Sequence, residues 1–139
     1  MTGLTQISGS CLCGGVRLLV ADVDPRLGAC HCGMCRKWSG GPLLALDCGS
    51  EVVFEGEADI SVFASSAWAE RGFCSRCGSH LFYKIKANGQ HFIPVGLLDD
   101  CDRITFEHQI FIDRKPDYYD FSNVTKTLTE AEVFALHGA

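Results

Sequence analysis

The chain has no excess of positive charge, no long apolar run and no repeated or low-complexity segment. Each absence removes a class of function. Its 12 Lys and Arg stand against 17 Asp and Glu, for a formal net charge of -5. Domains that live on nucleic acid usually carry the opposite balance, to neutralise phosphates. A nucleic-acid partner is therefore not expected, unless Arg17, Arg36, Lys37, Arg71 and Arg76 form one continuous patch. Nothing approaches the roughly 18 consecutive apolar residues of a membrane span. The opening stretch "MTGLTQISGS" has no basic region followed by an apolar run, so no secretory signal is read there. The expectation is a soluble cytoplasmic protein without a membrane partner. No linker divides the 139 residues. One domain over residues 1–139 is expected, long enough to bury about two-thirds of the surface its unfolded chain exposes.

What the chain has in abundance is cysteine, nine of them. Seven fall into three blocks, Cys11-x-Cys13, Cys30-x-Cys32-x-x-Cys35 and Cys74-x-x-Cys77, and Cys48 and Cys101 stand apart. An odd count without a secretory signal argues against a disulfide framework. A Cys-x-Cys pair also closes too small a ring for good disulfide geometry. A Cys-x-x-Cys followed by glycine, as in "CSRCG", is a zinc knuckle: the tight turn aims two sulfurs at one point, and backbone amides can face them. Cys11 and Cys13 with Cys74 and Cys77 then make a closed four-cysteine site. Cys30, Cys32 and Cys35 remain together. Three protein ligands with one exchangeable position is the catalytic zinc arrangement, whereas a fourth cysteine, Cys48 or Cys101, would make a second structural site. Cys48 follows the core-like strand "LLALDC" and reads as a small buried hydrophobe. Cys101 lies among acids that disfavour its thiolate. Four cysteinates also suit iron, but the usual ferredoxin spacings are absent. A thioredoxin-like pair from Cys32 and Cys35 would need a βαβ context.

The remaining pattern is mostly β. "VRLLV" puts Val16, Leu18 and Val20 on one face by strict alternation. "PLLALDC", "EVVFEGE", "ISVFA", "HLFYKIK", "HFIPVGL" and "ITFEHQIFI" are short, rich in branched or aromatic residues and bounded by turn formers. Pro94 hints at an edge or a bulge. The pairs Gly14-Gly15 and Gly40-Gly41 read as tight turns beside the cysteine blocks. Thr129 and Glu132 form a capping box at the start of a C-terminal helix with Val133, Phe134 and Leu136 as its apolar face. A short helical turn is expected after Cys35. The fold class is mainly antiparallel β with short helices.

Three stretches, "GSCLCGGVRLLV", "ACHCGMCRKWSGGP" and "RGFCSRCGSHLFY", with weaker support from "PVGLLDD" and "EHQIFIDRKPDYYDF", resemble the glutathione-dependent formaldehyde-activating (GFA) family, which includes centromere protein V-like (CENP-V) proteins. The match covers most of residues 9 to 121. The resemblance implies a tent-like β fold, structural zinc on Cys11, Cys13, Cys74 and Cys77, and a catalytic zinc on Cys30, Cys32 and Cys35. Two zinc ions per chain follow. The implied reaction is that of a carbon–sulfur lyase, addition of glutathione to formaldehyde to give S-hydroxymethylglutathione. Family members often carry a tryptophan after the late "K-x-P" element, where this chain reads Pro116, Asp117, Tyr118, Tyr119.

An open zinc position suits a thiol substrate, because a coordinated thiol is deprotonated and the thiolate is the nucleophile. Arg36 and Lys37 are candidates to hold a glutathione carboxylate, or to offset the negative charge around the cysteines. Trp38 and Trp68 are pocket-lining candidates whose alternative is the core. His31, between two ligands, is expected to point away from the metal. His80 could hydrogen-bond a sulfur or shuttle a proton, and His91, His108 and His137 are read as structural or surface residues. Two functions of different class compete: a thiol-adduct lyase acting at the three-cysteine zinc, and a non-enzymatic zinc scaffold that binds a protein partner.

Overall fold

The computed structural model describes residues 4–136; His137 lies outside them. Two compact units emerge. One runs to Pro25 and resumes over Leu46–Arg103; the other takes Arg26–Ala45 and the chain from Ile104 onward.

In the first unit, β1 (Leu4–Ser10), β2 (Arg17–Val23) and β5 (Val52–Glu55) form an antiparallel three-stranded sheet in the order β1-β2-β5. The alternation expected of "VRLLV" is realised: Val16, Leu18 and Val20 are buried while Leu19 is exposed. Four further strands lie side by side in the order β9-β8-β7-β6: β6 (Ile60–Phe63), β7 (Ala69–Cys74), β8 (His80–Ile85) and β9 (His91–Pro94). Their pairings are antiparallel. Leu46, Cys48, Ala69, Leu81 and Ile93 fill the core of this unit. Pro94 marks no sheet edge, since β9 is not an outer strand. It closes β9 and leads into a 3₁₀ turn over Val95–Leu97.

The second unit is built on β3 (Arg26–Cys30), the first residues of β4 (Leu43–Asp47), β10 (Thr105–Ile110) and β11 (Lys126–Leu128). Here β10 pairs parallel with both β3 and β11, while β3 and β4 are antiparallel. The strand expected to run through "ITFEHQIFI" stops at Ile110. Phe111 turns into the left-handed region at φ 55°, packs edge-on against Phe134 at 5.8 Å and starts a 3₁₀ turn over Ile112–Arg114.

Among the described residues, two seven-residue helices complete the fold. The first, α1 (Gly33–Ser39), begins before Cys35 and ends at Gly40, whose φ of 82° and N–H bond to the Arg36 carbonyl close it. The second, α2 (Glu130–Leu136), is C-terminal as expected. Both capping-box hydrogen bonds form, Thr129 N–H to Glu132 Oε1 at 2.9 Å and Glu132 N–H to Thr129 Oγ1 at 3.2 Å. Its apolar face is narrower than the sequence suggests: Val133 is buried, but Leu136 is 70% exposed. Among the described residues no helix is long and apolar enough to cross a membrane.

Candidate metal centres

Each unit holds one cysteine cluster. In the first unit the turn between β1 and β2 supplies Cys11 and Cys13, and the β7–β8 hairpin supplies Cys74 and Cys77, with all four sulfurs within 4.8 Å of one another. Gly14 and Gly78, at φ 77° and 79°, allow the two tight turns. Backbone amides then face the sulfurs: Val16 N–H approaches Cys11 Sγ at 3.3 Å and Gly15 N–H approaches Cys13 Sγ at 3.4 Å. Ser79 Oγ accepts from Leu12 N–H at 3.1 Å and lies 3.2 Å from Cys77 Sγ, so one hydroxyl joins the two turns. That hydroxyl, with backbone N–H groups, holds the Cys77 thiol down at about 5, a thiolate at neutral pH.

The spacing of the sulfurs tests the donor set. Four thiolates at about 2.3 Å from a tetrahedral ion are about 3.8 Å apart. Cys11 and Cys13 are 3.5 Å apart, and Cys13 and Cys74 are 3.8 Å apart. No cysteine here is in a disulfide. The four residues fit a tetrahedral thiophilic ion.

In the second unit Cys30 ends β3, Cys32 caps α1 and Cys35 lies buried in its first turn. The helix sets the spacing: Cys35 N–H donates to Cys32 Sγ at 3.3 Å. The three sulfurs again lie within 4.8 Å of one another, and among the described residues no further His, Cys, Asp or Glu joins them. Hydrogen bonding from Cys32 and Cys35, then burial, pushes the Cys30 thiol far up. Three thiols this close cannot all ionise without a cation. The remaining two cysteines are employed elsewhere. Cys48 is buried in the first unit, its thiol pushed up to about 12 chiefly by burial. Cys101 is exposed and points its thiol at the carbonyls of Val95 and Leu98, 3.6 and 3.7 Å away.

Around the three-cysteine cluster, His31 does turn its ring to other partners. It is fully buried, with Nδ1 2.7 Å from the Tyr119 hydroxyl and Nε2 2.8 Å from Gln109 Oε1. Burial holds its pKa below the ordinary histidine value. Arg36 Nε–H donates to the His31 carbonyl at 3.0 Å. Arg36 and Trp38 are half-buried on α1, and Lys37 is exposed. The late segment folds around Lys115, whose ammonium bonds the Pro116 carbonyl at 2.9 Å and Asp120 Oδ1 at 2.7 Å, and lies 5.2 Å above the Tyr119 ring. Gln109 and Tyr119 had no signal in residue type or spacing. Only the fold brings them to His31.

The other candidates disperse. Trp68 is 53% exposed and donates to the Tyr83 hydroxyl at 3.2 Å, so it is not a core residue. Arg71 is buried over the Tyr83 ring, 4.9 Å from its centroid, which removes it from any surface basic patch. Arg76 lies 3.8 Å from Asp59. His80 heads β8, its pKa lowered by burial and then by Arg71. His108 bonds Glu107 at 2.8 Å, and His91 is buried against Phe82 and Phe54.

The comparisons with known proteins agree with this chemistry. An uncharacterized lyase of Schizosaccharomyces pombe is 37% identical over 132 residues, covering 94% of this chain and 96% of that protein. A Halomonas elongata protein with the provisional name glutathione-dependent formaldehyde-activating enzyme is 28% identical over 128 residues, covering 84% of this chain and 82% of its own. A Rhodobacter sphaeroides protein of known crystal structure shares the fold, with a TM-score of 0.58 at 21% identity over 66% of this chain and 87% of that one. The family profile described as glutathione-dependent formaldehyde-activating enzyme matches residues 6–114. With two cysteine clusters of metal-binding geometry and this match across most of its length, the chain belongs to the glutathione-dependent formaldehyde-activating (GFA) family.

Proposed function

We propose that the protein is a zinc-dependent carbon–sulfur lyase that adds glutathione, or a related thiol, to formaldehyde or a similar small electrophile at the three-cysteine site. One observation carries this reading: Cys30, Cys32 and Cys35 converge without a fourth protein ligand among the described residues. Zinc held there would supply a Lewis-acidic position that keeps a substrate thiol ionised. In the reaction the sulfur bonds the carbonyl carbon, the C=O π bond opens onto oxygen, and the proton lost by the thiol ends on that oxygen. Cys11, Cys13, Cys74 and Cys77 would hold the second, structural zinc.

The chain's part is to bind and orient. Arg36 and Lys37 follow a cluster cysteine directly on α1, where cations suit the carboxylates of a tripeptide thiol. Trp38, half-buried on the same helix, offers it an apolar surface. Lys37→Ala should raise KM for glutathione roughly tenfold with kcat little changed, the loss of one charge-assisted contact to a remote part of the substrate. An unchanged KM would remove Lys37 from the binding site.

The reading is tested by metal content and zinc-edge X-ray absorption on the wild type and Cys32→Ala, with and without glutathione, beside a direct assay of thiol-dependent formaldehyde consumption. Two zinc ions per chain are expected, one gaining a sulfur neighbour when glutathione is added. Two all-sulfur shells indifferent to the thiol, with no turnover, would favour the scaffold function instead.

A further inference from the structure

His31 stands between Cys30 and Cys32, and every polar group it has is engaged. Its N–H donates to the Ile110 carbonyl at 3.2 Å and its carbonyl accepts from Arg36 Nε–H at 3.0 Å. The two ring nitrogens meet Tyr119 and Gln109 at 2.7 and 2.8 Å. The hydrogen positions follow from the next partner along. Gln109 Nε2 donates to Thr125 Oγ1 at 2.9 Å, which turns the Gln109 oxygen, an acceptor only, toward His31 Nε2. Nε2 therefore carries the ring hydrogen. Nδ1 of the neutral ring is then an acceptor, and the Tyr119 hydroxyl donates to it.

This chain of bonds ties three distant stretches to one residue. Gln109 comes from β10 and Thr125 from just before β11, while Tyr119 sits in the loop wrapped around Lys115. A residue held at both backbone groups and both ring nitrogens has little torsional freedom. Its neighbours' Cα–Cβ directions are fixed with it, and those neighbours present two of the three sulfurs.

We propose that His31 is the positioning residue of the three-cysteine centre, with Tyr119 and Gln109 acting on the sulfurs through it. The inference rests on the reading of that cluster as a metal site. It adds a role for three residues that are not ligands. Removing one bond from the chain loosens the Cys30–Cys32 loop and leaves the four-cysteine cluster of the other unit untouched.

The test uses the cadmium-loaded protein and the variants Tyr119→Phe and Gln109→Met. Cadmium-113 NMR resolves a four-sulfur site from a three-sulfur site, and competition with a chelator times release from each. In the wild type, two-bond proton–nitrogen spectra should show His31 with its hydrogen on Nε2. In Tyr119→Phe, which keeps the ring and deletes only the donor, the three-sulfur resonance should shift and its metal should leave about fivefold faster, the ratio that one lost neutral hydrogen bond represents. The four-sulfur resonance should stay where it is. A hydrogen on Nδ1 in the wild type would overturn the proposal, as would unchanged release from the three-sulfur site in both variants. Equal weakening of both sites would overturn it too, since the bonds would then serve general stability. A wild type with a four-sulfur resonance alone would defeat the metal-site reading itself, a different failure from two resonances that ignore the substitutions.

Discussion

Single residues set tight conditions in both units. Gly28 of β3 lies beneath the His108 imidazole, and a Cβ placed there would overlap the ring. The missing side chain is what lets β10 pass beside the strand that ends at Cys30. Gly28→Ala should lower stability by about 1–3 kcal/mol, the usual cost of overpacking. His108→Ala in the same chain should return most of it, because the two sites share one contact; chemical denaturation of the four members of the cycle measures this. His91 answers to pH. It is 7% exposed, and burial first of all depresses its pKa from an ordinary value of about 6.5. The unfolded chain therefore takes up the proton first as pH falls. Stability from this residue is complete above about pH 6.5 and is lost as pH drops through the folded value. His91→Phe, set among Phe54 and Phe82, should flatten the fall in urea midpoint below pH 6.5 relative to the wild type. An identical slope would show that other groups carry it.

The secondary elements differ in how far they depend on distant partners. Helix α2 is seven residues long and leans on its cap. Thr129→Ala removes one of the two reciprocal bonds and should cost about 1 kcal/mol, seen as faster amide exchange in α2 while β3 and β10 keep their protection. These differences also explain what was legible in the sequence. Strand β2 could be read because one face is buried and the other is not. Strand β7, "AERGFC", could not. Its arginine is buried over Tyr83, and its Gly72 makes room for the Phe82 ring, so half of its packing signal resides in β8. The break after β10 is set by Phe111 meeting Phe134, a contact with a helix that no local pattern announces. The two cysteine clusters were legible because the spacing within each block is local. The partners of His31 were not: Gln109 and Tyr119 lie 78 and 88 residues away in sequence, and hydrogen bonds across such separations leave no periodicity.

At the scale of the whole molecule, the two clusters belong to different units and should fail differently. The four-cysteine cluster joins two turns that also share the Leu12–Ser79 contact. The affinity of a metal held there would be folding free energy. Cys11→Ala should therefore abolish cooperative unfolding or lower its midpoint steeply, because it leaves three thiolates with an incomplete shell in a part-buried site. The three-cysteine cluster is held by different means. Its loop is set by the α1 cap and by the four bonds of His31. Cys32→Ala removes the cap acceptor, worth about 1 kcal/mol, but leaves the His31 bonds in place. It should abolish turnover and halve the bound zinc while keeping a cooperative transition and a near-native far-ultraviolet spectrum. Stepwise chelation of the wild type should follow the same order, with loss of activity at the first zinc and loss of structure at the second. If both substitutions unfold the chain alike, the three-cysteine cluster is structural, and the absence among the described residues of a fourth protein ligand beside Cys30, Cys32 and Cys35 says nothing about catalysis.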